Sequence, residues 1–532
     1  MPILIRDLIL TPGESEELLR GEILRRFSLD SSDLLAFRVV RSGIDARKKY
    51  RIRLVCTVEF SLADEVAFLA RYAGEPDVIF APLLTPRLFP RIEEKTPIVI
   101  VGAGPAGLFA ALRLAEYGLT ATLLERGKPV QERLADVQSF WSRGELDEGS
   151  NVQFGEGGAG TFSDGKLTTR VRDVNMAWVL EKLARFGAPP EILIQAKPHI
   201  GTDRLRQVVV ALREELTASG FTVRFGAKLT GFGVREGCVA TAMVNGREEL
   251  PCDHLILAPG HSARDTYGML ADHGVRMEPK PFAVGVRVEH PQELINRIQY
   301  GHPAPAQLPP ADYAVTYNNL ASGRSAYSFC MCPGGVVMGG SSERGGIVTN
   351  GMSNHLRNSP HANSALVVNV AVRDFPGDGP LAGIRFQREL ERSAYAAGGG
   401  DYRAPGQNLM DFLEMRTGRR YASSYQPGVR ECDLGALLPG FVTETLREGI
   451  RAFDRKMKGF VTEAATLTGV ESRTSAPLRI VRGDDCHSVT FRGLYPAGEG
   501  AGYAGGIMSA ALDGIRVADA IAKELHRTGG VS

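Results

Sequence analysis

Four apolar residues, Ile98, Val99, Ile100 and Val101, run directly into Gly102-x-Gly104-Pro105-Ala106-Gly107, and a helical stretch follows. A glycine turn between a strand and a helix start is chemistry for phosphate: backbone N–H groups and the positive end of the helix dipole face the anion. Gly102 permits the tight turn, Gly104 lets a pyrophosphate approach the backbone, and Gly107 lets the helix lie close on the strand. Glu125 ends a second short strand, eighteen residues beyond Gly107, and suits a carboxylate accepting from ribose hydroxyls, with Arg126 beside it. Strand, turn, helix and acid in register predict a dinucleotide site.

Other residues carry chemistry with a bland alternative beside it. Gly157-Gly158-Ala159-Gly160 and Ser163 offer small residues and donors near a pyrophosphate or a ring, or form a surface loop. In Cys330-Met331-Cys332, two thiols on a regular strand would face one side, and a disulfide between them would be strained and easily reduced. They serve a substrate face, as catalytic residues, or pack as small buried hydrophobes. Arg473 is an anion anchor for a substrate carboxylate or one half of a structural salt bridge. His261, next to a turn, has a surface or capping role. None of the ten histidines falls into a ligand spacing, so no metal site is expected.

The elements that must position these residues divide the chain. Residues 1–90 read as an independent α+β unit. Residues 2–10 are strand-like, and Thr11 to Glu14 is a capping box opening a helix through Leu18, Leu19, Ile23, Leu24 and Phe27. Residues 51–60 alternate as a half-buried strand, Ser61 caps a helix with Val66, Phe68 and Leu69, and residues 78–80 close the unit. A ferredoxin-like βαββαβ fold fits this order. Residues 81–95 are a proline-bearing linker. Short strands recur at 221–225, 230–235, 239–244 and 253–258, with hairpin turns at Glu236-Gly237 and Asn245-Gly246. The last of these ends in Ala258-Pro259-Gly260, and Gly498-Glu499 with Gly505-Gly506-Ile507 precedes a C-terminal helix. These segments make sense together if an α/β nucleotide fold, residues 96–270 and 490–532, is interrupted by an inserted α+β substrate or cap domain, residues 271–489.

Composition bounds the rest. The 532 residues are 43% hydrophobic and 23% charged with net charge +1, ordinary for a globular protein and without a global field for nucleic acid or an anionic membrane. The basic run Ala46 to Arg53 reads as a solvated hairpin. The first residues carry no basic leader before an apolar stretch. Seven cysteines, at 56, 238, 252, 330, 332, 432 and 486, are odd in number and scattered, as expected of reduced thiols in the cytoplasm.

The chain resembles the two-dinucleotide-fold flavoproteins that bind FAD as glutathione reductase does, and more narrowly the bacterial uncharacterised FAD-dependent dehydrogenases. The first resemblance rests on Gly102 to Gly107 with Glu125, on Ala258-Pro259-Gly260 and on Gly498-Glu499 with Gly505-Gly506-Ile507. The second rests on the strings from Val152 to Leu167 and from Ser328 to Gly335. It implies a Rossmann-like, three-layer FAD domain with a β-meander. In that fold Gly158, Gly160, Ser163 and Gly260 would line the cofactor, Glu499 would take a ribityl hydroxyl, and Gly506 and Ile507 would aim a helix N-terminus at the flavin. It implies an oxidoreductase acting on a small-molecule substrate, with NAD(P)H or a protein as electron partner. Gly339 to Gly346 reads as a hairpin rather than a nicotinamide site. The other class is an FAD-bearing binding or sensing protein whose N-terminal unit docks a partner such as RNA.

Overall fold

The computed structural model describes residues 2–72, 74–80, 89–93, 95–301 and 307–529. Residues 81–88 and 94, most of the expected linker, lie outside these. At the centre, a five-stranded parallel sheet runs in the order Leu494–Pro496, His254–Leu257, Ile98–Val101, Thr122–Leu124, Thr222–Arg224. The three strands at one side of it are buried at every position, which is why their sequences are continuous apolar runs without alternation. Helices Pro105–Glu116, Met176–Arg185, Thr202–Ala218 and Ile507–Gly529 pack on one face. Leu229–Arg235, Cys238–Val244 and Glu248–Pro251 form an antiparallel meander on the other. Residues 221–225 therefore supply an edge of the main sheet, not of the meander. The third meander strand begins with two glutamates and carries little apolar pattern, so it escapes a reading by periodicity.

Met277–Pro279 and Leu478–Ile480 pair antiparallel, so the chain leaves the nucleotide fold and returns to it side by side. Between them stands a seven-stranded sheet in the order Thr316–Asn319, Arg324–Cys332, His361–Val370, Phe282–Pro291, Thr466–Glu471, Ala404–Asn408, Val429–Glu431. Helices Ala382–Gly398 and Gly440–Lys456 complete its core. Residues 339–346 connect Val336–Gly339 to Thr349–Met352, an antiparallel hairpin.

The N-terminal sheet is antiparallel in the order Leu34–Asp45, Arg53–Leu62, Ile3–Leu10, Val78–Phe80, with helices Glu17–Phe27 and Glu65–Tyr72 and a core of its own. Two expectations change here. The Thr11 to Glu14 box closes a turn, with the Thr11 N–H donating to Glu14 at 2.7 Å, and the helix starts only at Glu17. Asp64, not Ser61, caps the second helix by accepting from the Ala67 N–H at 2.9 Å, because Ser61 still belongs to a strand. The unit, with its own core, also docks on the rest of the chain. Ser42 exchanges backbone hydrogen bonds with Ile194 and Ala196 at 2.7 and 2.8 Å, and Ile52 is buried in the core of the insertion. The basic run is a solvent-exposed hairpin tip, Arg47 to Arg51, with Arg47 paired to Asp45 at 2.7 Å and Ile52 buried beside it. Among the described residues no helix is long and apolar enough to cross a membrane.

Helices Pro105–Glu116 and Ile507–Gly529 approach closely because Gly514 has no side chain: a Cβ there would overlap the Ala106 carbonyl oxygen. Gly514→Ala forces the helices apart, an overpacking cost of about 1–3 kcal/mol. Thermal unfolding of the variant is expected at a lower midpoint than wild type; an unchanged midpoint would mean that the helices do not rest on this contact.

Candidate functional site

The carboxyl ends of the central strands open into a cavity of about 380 Å³, the usual place for a ligand in an open parallel sheet. Its wall brings together segments remote in sequence: Gly102, Gly104, Pro105 and Ala106; Glu125 and Arg126; Gly158, Gly160 and Ser163; Gly260; Glu499; Gly506 and Ile507. Cys330 and Arg473 join it from the insertion. Gly107 and Cys332 lie behind the wall. Gly107 acts through packing, since a Cβ would overlap the Gly102 carbonyl oxygen. Gly102 is left-handed, with φ of 102°. Gly104 and Gly158 face each other so closely that a Cβ on Gly158 would stand 3.1 Å from the Gly104 Cα.

Glu125 is buried and holds the loops of the cavity mouth. Its carboxylate accepts from the backbone N–H groups of Ala103, Gly127 and Gly155, each at 2.9 Å. Two carboxylate oxygens offer about four lone-pair positions, so acceptor capacity remains for a hydroxyl. Arg126 is committed to protein: it stacks over Phe154 at 4.2 Å and pairs with Asp265 at 3.0 Å. The Ser163 hydroxyl donates to the Gly160 carbonyl at 2.7 Å and accepts from the Gly165 N–H at 3.0 Å. Glu499 is half-buried in the cavity wall, and desolvation pushes its carboxyl up to about 7, with Lys280 opposing and Cys330 adding to the rise.

Arg473 lines the cavity and is at the same time half of a buried salt bridge. Its guanidinium grips Glu391 at 2.9 and 2.7 Å and donates to the Ser342 hydroxyl at 2.6 Å. Glu391 also receives Arg264 at 2.7 and 2.9 Å, and the two arginines hold it below the ordinary carboxylate range against its burial. This network ties the nucleotide fold to the insertion. His261 is neither exposed nor a cap. It lines the cavity, meets the Ser262 hydroxyl at 2.8 Å and stays neutral, because burial and then Arg473 and Arg264 lower it to about 3.

The strand with the two cysteines is not regular. Its pairing shifts between Phe329 and Cys332, and Cys330 adopts a left-handed φ of 45°. Lys166, Asn350 and Glu471 share the cavity wall with Cys330, and Arg287 donates to the Cys330 carbonyl at 3.1 Å. Sequence reading missed this group, although one signal was present. Arg287 interrupts the apolar strand Phe282–Pro291, and a buried arginine in such a run requires a partner, here Glu471 at 2.8 Å. Among the described residues no group of three or more His, Cys, Asp or Glu is placed to hold a metal.

The chain is 45% identical over 530 residues to an uncharacterised protein of Clostridium beijerinckii, covering 98% of each. Residues 281–474 match the family described as FAD-dependent protein, C-terminal domain-like, and residues 96–278 match pyridine nucleotide-disulphide oxidoreductase. The chain belongs to a family of FAD-dependent flavoproteins. FAD is its cofactor. Residues 2–61 of this flavoprotein match a domain of unknown function. Among solved structures, a flavin-dependent brominase covers 81% of this chain and 80% of its own at 12% identity, with a TM-score of 0.37. A glycerol-3-phosphate dehydrogenase of Bacillus halodurans complexed with FAD covers 82% and 66% at 12% identity, with a TM-score of 0.34. The cavity fits the cofactor on its own geometry: a glycine cradle that side chains would fill, two helix starts and two acceptor carboxyls lie along one wall.

The raised Glu499 carboxyl has a consequence for stability. The folded protein binds its proton more tightly than the unfolded chain, whose value is near 4.5, so the carboxyl weakens the fold as pH rises from 4.5 through about 7. In the flavin-free protein Glu499→Gln removes this loss, worth up to about 3 kcal/mol at 1.36 kcal/mol per unit. Unfolding midpoints measured between pH 5 and 8 should converge with wild type at the acid end and favour the variant at the alkaline end. Parallel curves would place the Glu499 carboxylate in contact with solvent.

Proposed function

We propose that this flavoprotein is an FAD-dependent oxidoreductase, a dehydrogenase or reductase, that moves a hydride between the flavin and a small organic substrate. The observation that carries this reading is the single cavity in which the phosphate-binding turn and the helix start at Gly506 and Ile507 meet a wall from the insertion. We read the chain as a Rossmann-like, glutathione-reductase-like FAD domain, residues 96–270 and 490–532, interrupted by a substrate or cap domain, residues 271–489. Residues 1–90 form the ferredoxin-like unit that the strand order suggests.

Bound FAD supplies two-electron chemistry at ring N5. The protein's part is to bind, orient and exclude water. The helix Pro105–Glu116, with Gly104 in extended conformation before it, directs backbone N–H groups at the pyrophosphate. Glu125 accepts from the adenosine ribose while holding the loops around it. Glu499, protonated below about 7, serves the ribityl chain. Backbone N–H groups at the start of Ile507–Gly529 favour negative charge at the nearby ring edge. The insertion presents Cys330, Asn350 and Glu471 to the substrate side. It is largely an antiparallel sheet, with only Ala404–Asn408 and Val429–Glu431 paired in parallel, so NAD(P)H or a protein donor would deliver electrons at this same cavity.

The protein is expected to purify yellow, with FAD released by acid or heat; release of FMN, or no flavin, would contradict the reading. Glu125→Ala leaves three backbone donors without their acceptor, at about 1–3 kcal/mol for each buried group. FAD should therefore bind at least tenfold more weakly in a fluorescence titration, and unchanged affinity would remove Glu125 from the site.

A further inference from the structure

A carbon that gives up a hydride can form a double bond to its oxygen only if some group takes the oxygen's proton. Few groups on the cavity wall are free to do so. The lysines and arginines are protonated already. Arg357 clasps Asp164 at 2.6 and 3.0 Å, and Arg287 clasps Glu471 at 2.8 and 3.0 Å. Glu125 is spent on three backbone N–H groups, and Glu499, by the reading above, serves the ribityl chain. The Cys330 sulfur is engaged by Cys332. His261 remains, on the same wall.

A chain of hydrogen bonds behind the ring fixes its tautomer. The Gly340 carbonyl can only accept, so the Gln153 amide turns its nitrogen there, at 3.1 Å, and its oxygen to the other side. That oxygen accepts the Ser262 hydroxyl proton at 3.2 Å. With its one proton spent, the Ser262 oxygen is left to accept from His261 Nδ1 at 2.8 Å. The ring proton therefore sits on Nδ1, and Nε2 carries a bare lone pair. Among the described residues Nε2 has no protein partner, and it opens on the cavity. Ser262 and Gln153 are both buried, so water does not compete for the bonds that set this arrangement. The charged groups facing the ring are Arg473 and Arg264, with Glu391 gripped by both.

Resting on the FAD oxidoreductase reading above, we propose that His261 is the catalytic base and that the substrate is a small alcohol whose hydroxyl donates to Nε2. The hydrogen on the carbinol carbon leaves with its electron pair to oxidised FAD. The O–H bond breaks as its proton passes to Nε2, and the pair left on oxygen closes the carbonyl double bond. The alcohol is oxidised to an aldehyde or ketone, FAD is reduced by two electrons, and the imidazolium later releases its proton to water. A ring held to about 3 is a weak base toward a resting hydroxyl. Loss of the hydride turns that hydroxyl into a protonated carbonyl, a far stronger acid than imidazolium, so the proton moves as the hydride does. The negative charge gained by the cofactor then favours the imidazolium. Arg473 and Arg264 decide the class: the positive field that keeps the ring neutral also disfavours a substrate ammonium, so a hydroxyl fits here and a protonated amine does not.

The test reads the ring first, on the flavin-loaded protein. Diethyl pyrocarbonate acylates a neutral imidazole through a free lone pair, and an ordinary histidine, which protonates near 6.5, slows more than about tenfold between pH 7 and pH 5. Peptide mapping is expected to find His261 acylated equally fast at both. A His261 that does not react, that slows as an ordinary histidine does, or that reacts only after the flavin is removed overturns the proposal. The second readout is anaerobic mixing with small primary and secondary alcohols and 2-hydroxy acids, set against small amines. At least one hydroxyl compound is expected to bleach the flavin, and His261→Gln, with its FAD affinity unchanged, to slow that step about 10²-fold or more. Bleaching by amines alone, by none of these compounds, or at an equal rate in the variant also overturns it. A preparation that binds no flavin defeats the FAD reading and the proposal with it, and is told apart from the other outcomes by its lack of colour.

Discussion

The structure depends on one constraint of chain order. Three adjacent strands of the central sheet come from near residue 100, near residue 255 and near residue 495. Their ends make the cavity floor, and the floor is complete only when the chain has traversed the insertion and come back with Leu494–Pro496. The pairing of Met277–Pro279 with Leu478–Ile480 is what makes that return short. Parallel strands buried on both faces need cover on each side, which here comes from the helices on one face and the meander on the other.

The same join fixes where the charge lies. Arg264 comes from the helix after the second central strand, while Glu391 and Arg473 come from the insertion, and the three meet out of water. Buried ions are weak evidence for net stability, but removing one partner leaves another stranded. Such a network specifies one docking of the two parts. Lys166 belongs to the glycine-rich loop and lines the cavity with Cys330, its ammonium 3.7 Å from Asp164.

Much of the nucleotide fold was legible because its signals are local. The turn at Gly102 to Gly107, the apolar strands and the acid at Glu125 each follow from steric and periodic rules acting over a few residues. Element starts were less legible: Thr11 to Glu14 and Ser61 have capping chemistry, yet a tight turn and a longer strand use those residues instead. The expected regular strand at Cys330 failed for a different reason, since the bulge answers to contacts with segments distant in sequence. Arg473 and His261 were misplaced or left open on the same ground: whether a polar residue is exposed, paired or lining a cavity is decided by what folds over it. Arg287 was readable in principle, as a charge inside an apolar strand.

The central claim is that one cavity, floored by strands from three parts of the chain and walled by the insertion, holds FAD. A crystal structure of the flavin-loaded protein tests it most directly. The adenosine should lie at Glu125, the pyrophosphate between Gly104 and Gly158, and the ring between the helix start at Gly506 and the wall at Cys330. Flavin density elsewhere, or a ring turned away from the insertion, would contradict the account.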